Sequence, residues 1–151
     1  MDKTIKYEKV INDLSHYFKG YGIDRTAKMS IITSTLSNKF PEWIFCGFYR
    51  VVNEKLLEIG PYQSSIVPCG QIKFSNGVCG LSAREGKSII VDNVNNFDGY
   101  ISCDDQTISE IVVPVFSKNK LIGVLDIDGH LESQFDHTDK KYLEKIVDYL
   151  K

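Results

Sequence analysis

The sequence has no block of basic residues and no long apolar run. Its 151 residues include 18 Lys and Arg against 20 Asp and Glu, and the basic residues are scattered along the chain. Nucleic-acid binding relies on Lys and Arg clustered against phosphates, so we do not expect it here. No apolar stretch approaches the roughly 20 residues of a membrane-spanning helix, and the polar N-terminus lacks the apolar core of a signal peptide. These absences predict a cytoplasmic protein that does not contact a membrane.

Cysteine is also scarce, and its four occurrences are widely spaced: Cys46, Cys69, Cys79 and Cys103. No two are close enough to form a zinc ribbon or a thioredoxin-type motif. Without an export signal, a structural disulfide framework is the less favoured interpretation. Two interpretations stay open, namely buried thiols that pack as small hydrophobic groups and thiols with redox or nucleophilic chemistry. Composition alone favours the first.

The length fits one domain over residues 1–151, and its first forty residues predict two helices. Apolar residues recur at three- and four-residue spacing through 5–18, and Asp24 is a suitable N-cap for a second helix that ends before Pro41. Aromatic and branched residues then predict a strand over 44–52, followed by a hairpin partner over 56–59.

Residues 60–108 differ from their flanks, because they are rich in glycine, proline and paired Asn or Asp residues. We predict mostly loop there, interrupted by a short helix over 77–84 and a strand over 88–91. Long connections inside a compact domain are usually functional or disordered. Three of the four cysteines lie in this segment, so we expect it to form the active-site region.

The last third of the chain predicts a hairpin and a closing helix. Two apolar strands over 110–116 and 121–128 are joined by a polar turn, and Pro114 indicates an irregularity or a sheet edge. Asp136 is the expected N-cap of the final helix. The whole pattern predicts an α+β fold with a central antiparallel sheet flanked by helices.

Acidic residues interrupt the second of these apolar strands. Asp126 and Asp128 alternate with apolar residues, so both carboxylates point to one face of the sheet. A solvated face is one explanation. However, Ile122 and Val124 share the same parity and should be buried, which favours ligands for an ammonium group or a metal. Glu110 begins the partner strand and could lie nearby across the hairpin. Three carboxylates together predict a pocket for an amino group, in which one of them could have a raised pKa suited to proton donation.

Five segments, taken together, resemble the motifs of the free methionine-(R)-sulfoxide reductase family. They are residues 60–63 (GPYQ), 77–80 (GVCG), 97–104 (FDGYISCD), 109–114 (SEIVVP) and 123–128 (GVLDID). The resemblance extends from about Phe45 to the C-terminus. It implies a GAF fold and the reduction of free L-methionine-(R)-sulfoxide, with no metal and no bound organic cofactor.

The resemblance also implies a role for each motif residue. Cys103 matches the catalytic cysteine, Cys69 the resolving cysteine and Cys79 a third pocket cysteine, whereas Cys46 matches nothing catalytic. The three carboxylates match those that hold and polarise the substrate; they are Glu110, Asp126 and Asp128. The implied cycle passes through a Cys103 sulfenic acid and a Cys69–Cys103 disulfide that thioredoxin reduces. A homodimer is implied as well.

Some motif positions depart from the family pattern. Tyr100, which we expect among the substrate-binding residues, stands where the family has His, and Phe45 stands where it has Trp. Pro68 precedes Cys69 in place of a small residue. Two other classes of function stay open, a ligand-sensing GAF module and a thiol redox sensor that forms the same disulfide without turnover.

Overall fold

Two helices form the N-terminal part of the computed structural model, which describes residues 1–20 and 22–151. Helix α1 is Lys3–Phe18, and helix α2 is Arg25–Lys39. The Asp24 carboxylate accepts a hydrogen bond from the backbone N–H of Ala27, which satisfies one of the unpaired donors at the start of α2. Both predicted helices and the predicted cap are confirmed.

Within the described residues, six strands form one sheet in which every neighbouring pair is antiparallel. The order is β3-β2-β1-β6-β5-β4. The strands are β1 (Trp43–Asn53), β2 (Leu56–Ser64), β3 (Gln71–Lys73), β4 (Ile89–Val91), β5 (Ser109–Ser117) and β6 (Lys120–Gly129). The remaining helices are α3 (Gly77–Glu85) and α4 (His137–Val147), and short 3-10 turns occupy Val94–Asn96 and Asp148–Leu150. The predicted α+β class, with an antiparallel sheet flanked by helices, is confirmed. No helix among these residues is long and apolar enough to cross a membrane.

Each face of the sheet has its own apolar core. Helices α1, α2 and α4 cover one face, where Leu36, Leu143 and Ile127 are fully buried. Helix α3 covers part of the other face, where Val78 and Val124 are buried. Burying one such side chain contributes roughly 1.5–3 kcal/mol. Because side chains alternate along β6, its acidic residues lie on the face that α3 covers.

The structure corrects the predicted end of β2. This strand continues to Ser64 instead of ending at 59, so residues 60–64 are strand and not loop. Gly60 and Pro61 resemble a turn in sequence, but β3 pairs only with Leu56–Glu58. Beyond that point β2 is an edge strand, and an edge strand tolerates proline because no neighbour requires its N–H. Strand β3 was not predicted.

A second correction concerns the hairpin of β5 and β6. Ile122 was expected on the same face as Val124, but it is half-buried and packs with the core under α1, α2 and α4. The cause is a bulge, because Val115 pairs with Gly123 while Phe116 already pairs with Leu121. The predicted irregularity or edge at Pro114 is confirmed, since that residue lies beyond the part of β5 that pairs with β4.

Candidate active site

A small cavity lies between α3, the face of the sheet beneath it and two loops that precede β3 and β5. Its volume is about 40 Å³. All seven residues that the sequence predicted for the site line this cavity: Cys69, Cys79, Tyr100, Cys103, Glu110, Asp126 and Asp128. The structure therefore brings together residues that are up to 59 positions apart in the chain.

The hairpin register places the three carboxylates side by side. Glu110 lies opposite Asp128 in the β5–β6 ladder, and Asp126 lies two residues earlier on the same face. Their exposures are 5% for Glu110, 6% for Asp126 and 9% for Asp128. The alternative of a solvated strand face is therefore wrong. Carboxylates are rarely buried in this way unless a partner or a ligand compensates for the lost water.

Two glycines fix the position of Cys79 in the first turn of α3. Gly77 has φ +66°, a conformation that L side chains rarely adopt, and its N–H donates to the carbonyl oxygen of Gly99. A side chain at Gly80 would place its Cβ 2.6 Å from the carbonyl oxygen of Phe74, so only glycine fits. This close packing holds the Cys79 Sγ 4.0 Å from Glu110 Oε1.

A disulfide joins Cys69 and Cys103 across the cavity, with Cα atoms 5.5 Å apart. The Tyr49 hydroxyl donates a 2.9 Å hydrogen bond to the carbonyl oxygen of Cys69. On the other loop, the Asp104 carboxylate accepts hydrogen bonds from the backbone N–H groups of Gln106 and Thr107. Each disulfide cysteine is thus held by a neighbouring side chain that orders its loop.

Burial and mutual repulsion raise the pKa of every carboxyl group in the cluster. Burial is the main cause of the strongly raised pKa values of Glu110 and Asp128, and repulsion from Asp126 adds to both. Burial also raises the pKa of Asp126, to about 6, although hydrogen bonding with Glu110 and Cys79 opposes the shift. At neutral pH the cluster therefore contains proton donors next to one carboxylate. Asp126 Oδ1 is buried and has no hydrogen-bond partner within the described part of the chain.

The two free cysteines differ in their surroundings. Cys46 lies in the core on the opposite face of the sheet, and burial raises its pKa. Burial also raises the pKa of Cys79, and the nearby Asp126 and Glu110 carboxyls add to the shift. Both thiols therefore stay protonated at neutral pH, which makes them poor nucleophiles.

Two polar side chains that line the cavity, those of Tyr49 and Asp104, were not among the predicted site residues. Asp104 ends the 97–104 motif, whereas Tyr49 lies in β1, outside the five motif segments. The Asp104 carboxylate accepts hydrogen bonds within its own loop, whereas the Tyr49 hydroxyl reaches from β1 to the loop of Cys69, and residue patterns alone do not reveal that contact. Phe45, which departs from the family pattern, also lines the cavity and lies over the Tyr62 ring with centroids 5.8 Å apart.

Comparisons with known proteins agree with this geometry. Residues 24–150 match the family model described as GAF domain. The free methionine-R-sulfoxide reductase of Saccharomyces cerevisiae is 44% identical over 106 residues, which is 68% of this chain and 58% of the yeast protein. The Escherichia coli protein of the same name is 33% identical over 150 residues, covering 97% of this chain and 87% of its own length.

A solved structure is similar over nearly the whole chain. It is the X-ray structure of free methionine-R-sulfoxide reductase from Neisseria meningitidis in complex with its substrate, with a TM-score of 0.93 and 33% identity. The match covers 99% of this chain and 89% of that one. With the family model, the relatives and the fold in agreement, the chain belongs to the free methionine-R-sulfoxide reductase family of GAF-domain proteins.

Proposed function

We propose that this protein reduces free L-methionine-(R)-sulfoxide to methionine. The observation that carries the proposal is a buried acidic cluster in the same cavity as a cysteine pair that forms a disulfide, and one oxygen of this cluster has no hydrogen-bond partner among residues 1–20 and 22–151. A substrate with an ammonium group and a reducible sulfoxide needs both features. The names of the yeast and E. coli relatives agree with this substrate.

Asp126 and Asp128 bind the substrate ammonium in this proposal. The pKa of Asp126 is raised only to about 6, so this carboxyl is mostly ionised at neutral pH, and no group in the described residues hydrogen-bonds to its Oδ1. An ammonium group beside Asp128 favours the ionised form of that carboxyl too. A peptide-bound methionine has an amide in place of this ammonium, so the cluster selects the free amino acid.

Glu110 donates a proton to the sulfoxide oxygen. Its raised pKa keeps it protonated at neutral pH, and a hydrogen bond to the oxygen makes the sulfur electrophilic. The Cys103 thiolate attacks that sulfur, the S–O bond breaks, and the oxygen ends on Cys103 as a sulfenic acid. The substrate sulfur gains the two electrons that Cys103 loses, and methionine leaves.

Cys69 then resolves the sulfenic acid. Its thiol condenses with the Cys103 sulfenic acid, which forms the disulfide and releases water. A dithiol of the thioredoxin class reduces the disulfide by exchange and restores both thiols. The hydrogen bond from Tyr49 to the Cys69 carbonyl holds the closed loop in the position where the two sulfurs meet.

Two alternatives predict different use of the same residues. A thiol redox sensor needs the Cys69–Cys103 pair but has no use for three buried carboxyls, and a ligand-sensing GAF module needs no cysteine pair. The joint presence of both features in one cavity favours the reductase.

The decisive experiment is a coupled assay with separate R and S epimers of free methionine sulfoxide and with a peptide-bound sulfoxide. We expect turnover of the free R epimer with a dithiol reductant, and little turnover of the S epimer or the peptide. Equal rates on both epimers, or no reduction of either under reducing conditions, would overturn the proposal.

The order of the two cysteines is tested by replacing each with serine. We expect Cys103→Ser to abolish turnover, because the nucleophile is lost. We expect Cys69→Ser to keep a single-turnover burst of methionine, because attack precedes resolution. Cys46→Ser is the matched control, since this thiol lies outside the cavity, and it should retain activity. A burst in Cys103→Ser but not in Cys69→Ser would reverse the assignment.

A further inference from the structure

The proposed mechanism gives no role to Cys79, although this residue lines the cavity. One ligand atom each from Cys79, Glu110 and Asp126 lies within 4.8 Å of the other two. All three residues are buried, and the Asp126 carboxyl has an oxygen with no hydrogen-bond partner in the described part of the chain. A buried acceptor aimed into a cluster of one thiol and two carboxyls is suited to a cation.

We propose that Cys79, Glu110 and Asp126 bind a thiophilic divalent cation such as Zn²⁺ or Cd²⁺, and that this ion inhibits the enzyme reversibly. Thiolate and carboxylate groups are established zinc ligands, with Zn–S near 2.3 Å and Zn–O near 2.0–2.2 Å. In a tetrahedral arrangement these bonds place sulfur and oxygen roughly 3.5 Å apart. The observed 4.0 Å between Cys79 Sγ and Glu110 Oε1 needs only a small contraction.

Charge also favours the ion. The cluster is held in the fold with protons in place of a counter-ion, and a divalent cation would replace them. The Cys79 thiol and the Glu110 carboxyl lose their protons to solvent as the metal–ligand bonds form, and no electron transfer is involved. The metal is not a cofactor in this proposal, because it occupies the oxygen atoms that the substrate ammonium and sulfoxide require.

The cavity is large enough for the cation but too small for the substrate. A cavity needs roughly 10–15 Å³ to hold one water molecule, so about 40 Å³ holds a metal ion with one or two waters but not an amino acid. The ion therefore fits even the disulfide form of the protein, where the substrate is excluded, and in the reduced form it competes with the substrate for the same carboxyl groups. Ile101 and Cys103 line the cavity and are exposed, which gives the ion a route from solvent.

The binding test uses the full chain with the Cys69–Cys103 disulfide intact, so that the free thiols are Cys46 and Cys79. Cd²⁺ is titrated while the ultraviolet absorption of the thiolate-to-cadmium charge transfer is recorded. We expect one Cd²⁺ per chain with this absorption band. Cys79→Ser should lose the band, Cys46→Ser should keep it, and Glu110→Gln should weaken Cd²⁺ binding at least tenfold. Melting curves of each variant verify that it is folded.

Three results would overturn the inference: no stoichiometric Cd²⁺ binding, a band that survives Cys79→Ser, or a band lost in Cys46→Ser alone.

The inhibition part rests on the proposed function and is measured as single-turnover reduction of the R sulfoxide by pre-reduced enzyme without added thiol. Zn²⁺ should compete with the substrate, and Cys79→Ser should raise the inhibitory Zn²⁺ concentration at least tenfold. Unchanged inhibition in Cys79→Ser would place the ion on Cys103 instead. If the protein reduces no sulfoxide, the cadmium titration still decides the binding part.

Discussion

Two buried aspartates on opposite faces of the sheet have opposite surroundings. Asp139, at the start of α4, is 1% exposed and fully partnered. Its carboxylate accepts hydrogen bonds from Lys3 Nζ at 2.6 Å, from the Tyr7 hydroxyl at 2.6 Å and from the backbone N–H of Asp136 at 2.8 Å. Asp126 is also buried, but its neighbours are other acids, and its Oδ1 has no partner in the described residues.

The contrast separates a structural acid from one that is kept for a ligand. The contacts of Asp139 join α1 to α4, and the capping box that it forms with Asp136 begins α4. Asp126, in contrast, forms no salt bridge within the described residues. Its raised pKa of about 6 also lowers the stability of the fold at neutral pH. Between about pH 4 and 6 the folded state keeps a proton on Asp126 that the unfolded chain has already released. The free energy of unfolding therefore falls as pH rises from about 4 through 6.

The largest effect in this comparison should follow from Glu110→Gln, which removes the proposed proton donor and keeps its shape. General acid catalysis contributes a factor on the order of 10² to 10⁴, so kcat should fall by that amount while KM changes little. Stopped-flow or steady-state kinetics with the R sulfoxide measure it. A thiol probe that still labels Cys103 in the reduced variant excludes loss of the nucleophile. A kcat within twofold of the parent would remove Glu110 from the chemistry.

Asp139→Asn should lower the stability of the protein and leave its kinetics unchanged, which is the opposite of the effect of Glu110→Gln. Breaking a buried ion pair costs roughly 3–5 kcal/mol, and because Lys3 is partly exposed we expect about 3 kcal/mol of destabilisation. Urea unfolding measures the loss, and kcat and KM of the folded fraction should stay near the parent values. If this variant instead lost activity with unchanged stability, the division between a structural and a ligand-binding acid would not hold.

Asp126→Asn and Asp128→Asn should produce the smallest effect, and mainly on binding. Losing a charged partner for the ammonium costs roughly 1.5–3 kcal/mol, so KM should rise about ten- to a hundredfold. In the parent, kcat/KM should fall as pH drops below about 6, because Asp126 becomes protonated, and Asp126→Asn should lack this decline. Above pH 6 the free energy of unfolding of Asp126→Asn, measured by urea titration, should exceed that of the parent by roughly 1–3 kcal/mol. An unchanged KM in both variants would place the ammonium elsewhere.

Local patterns predicted much of the fold and of the site. The Asp24 and Asp136 caps depend on neighbouring residues, so they were readable. The turn pairs Ser117 with Lys120, but only the bulge between Val115 and Phe116 shifts the register so that Glu110 lies opposite Asp128. Elements that depend on distant partners were not readable. The extension of β2 depends on where β3 ends, and the position of Ile122 depends on a bulge.

The site shows the same limit. Residue types and motifs identified seven of its lining residues, but not the hydrogen bond from Tyr49 to the Cys69 carbonyl, which joins positions 20 residues apart. The fully partnered environment of Asp139 was equally hidden, because Lys3 and Tyr7 lie at the other end of the chain. Sequence spacing reveals alternation along an element, whereas contacts between separate elements require the folded chain.

The small volume of the cavity in the disulfide form has a consequence for kinetics. In the proposed cycle this form has no room for sulfoxide or methionine, so we expect the product to depart before Cys69 reaches Cys103. The sulfoxide and the reducing dithiol then never occupy the same form of the enzyme. Double-reciprocal plots at several reductant concentrations should therefore be parallel, and excess sulfoxide should not slow reactivation.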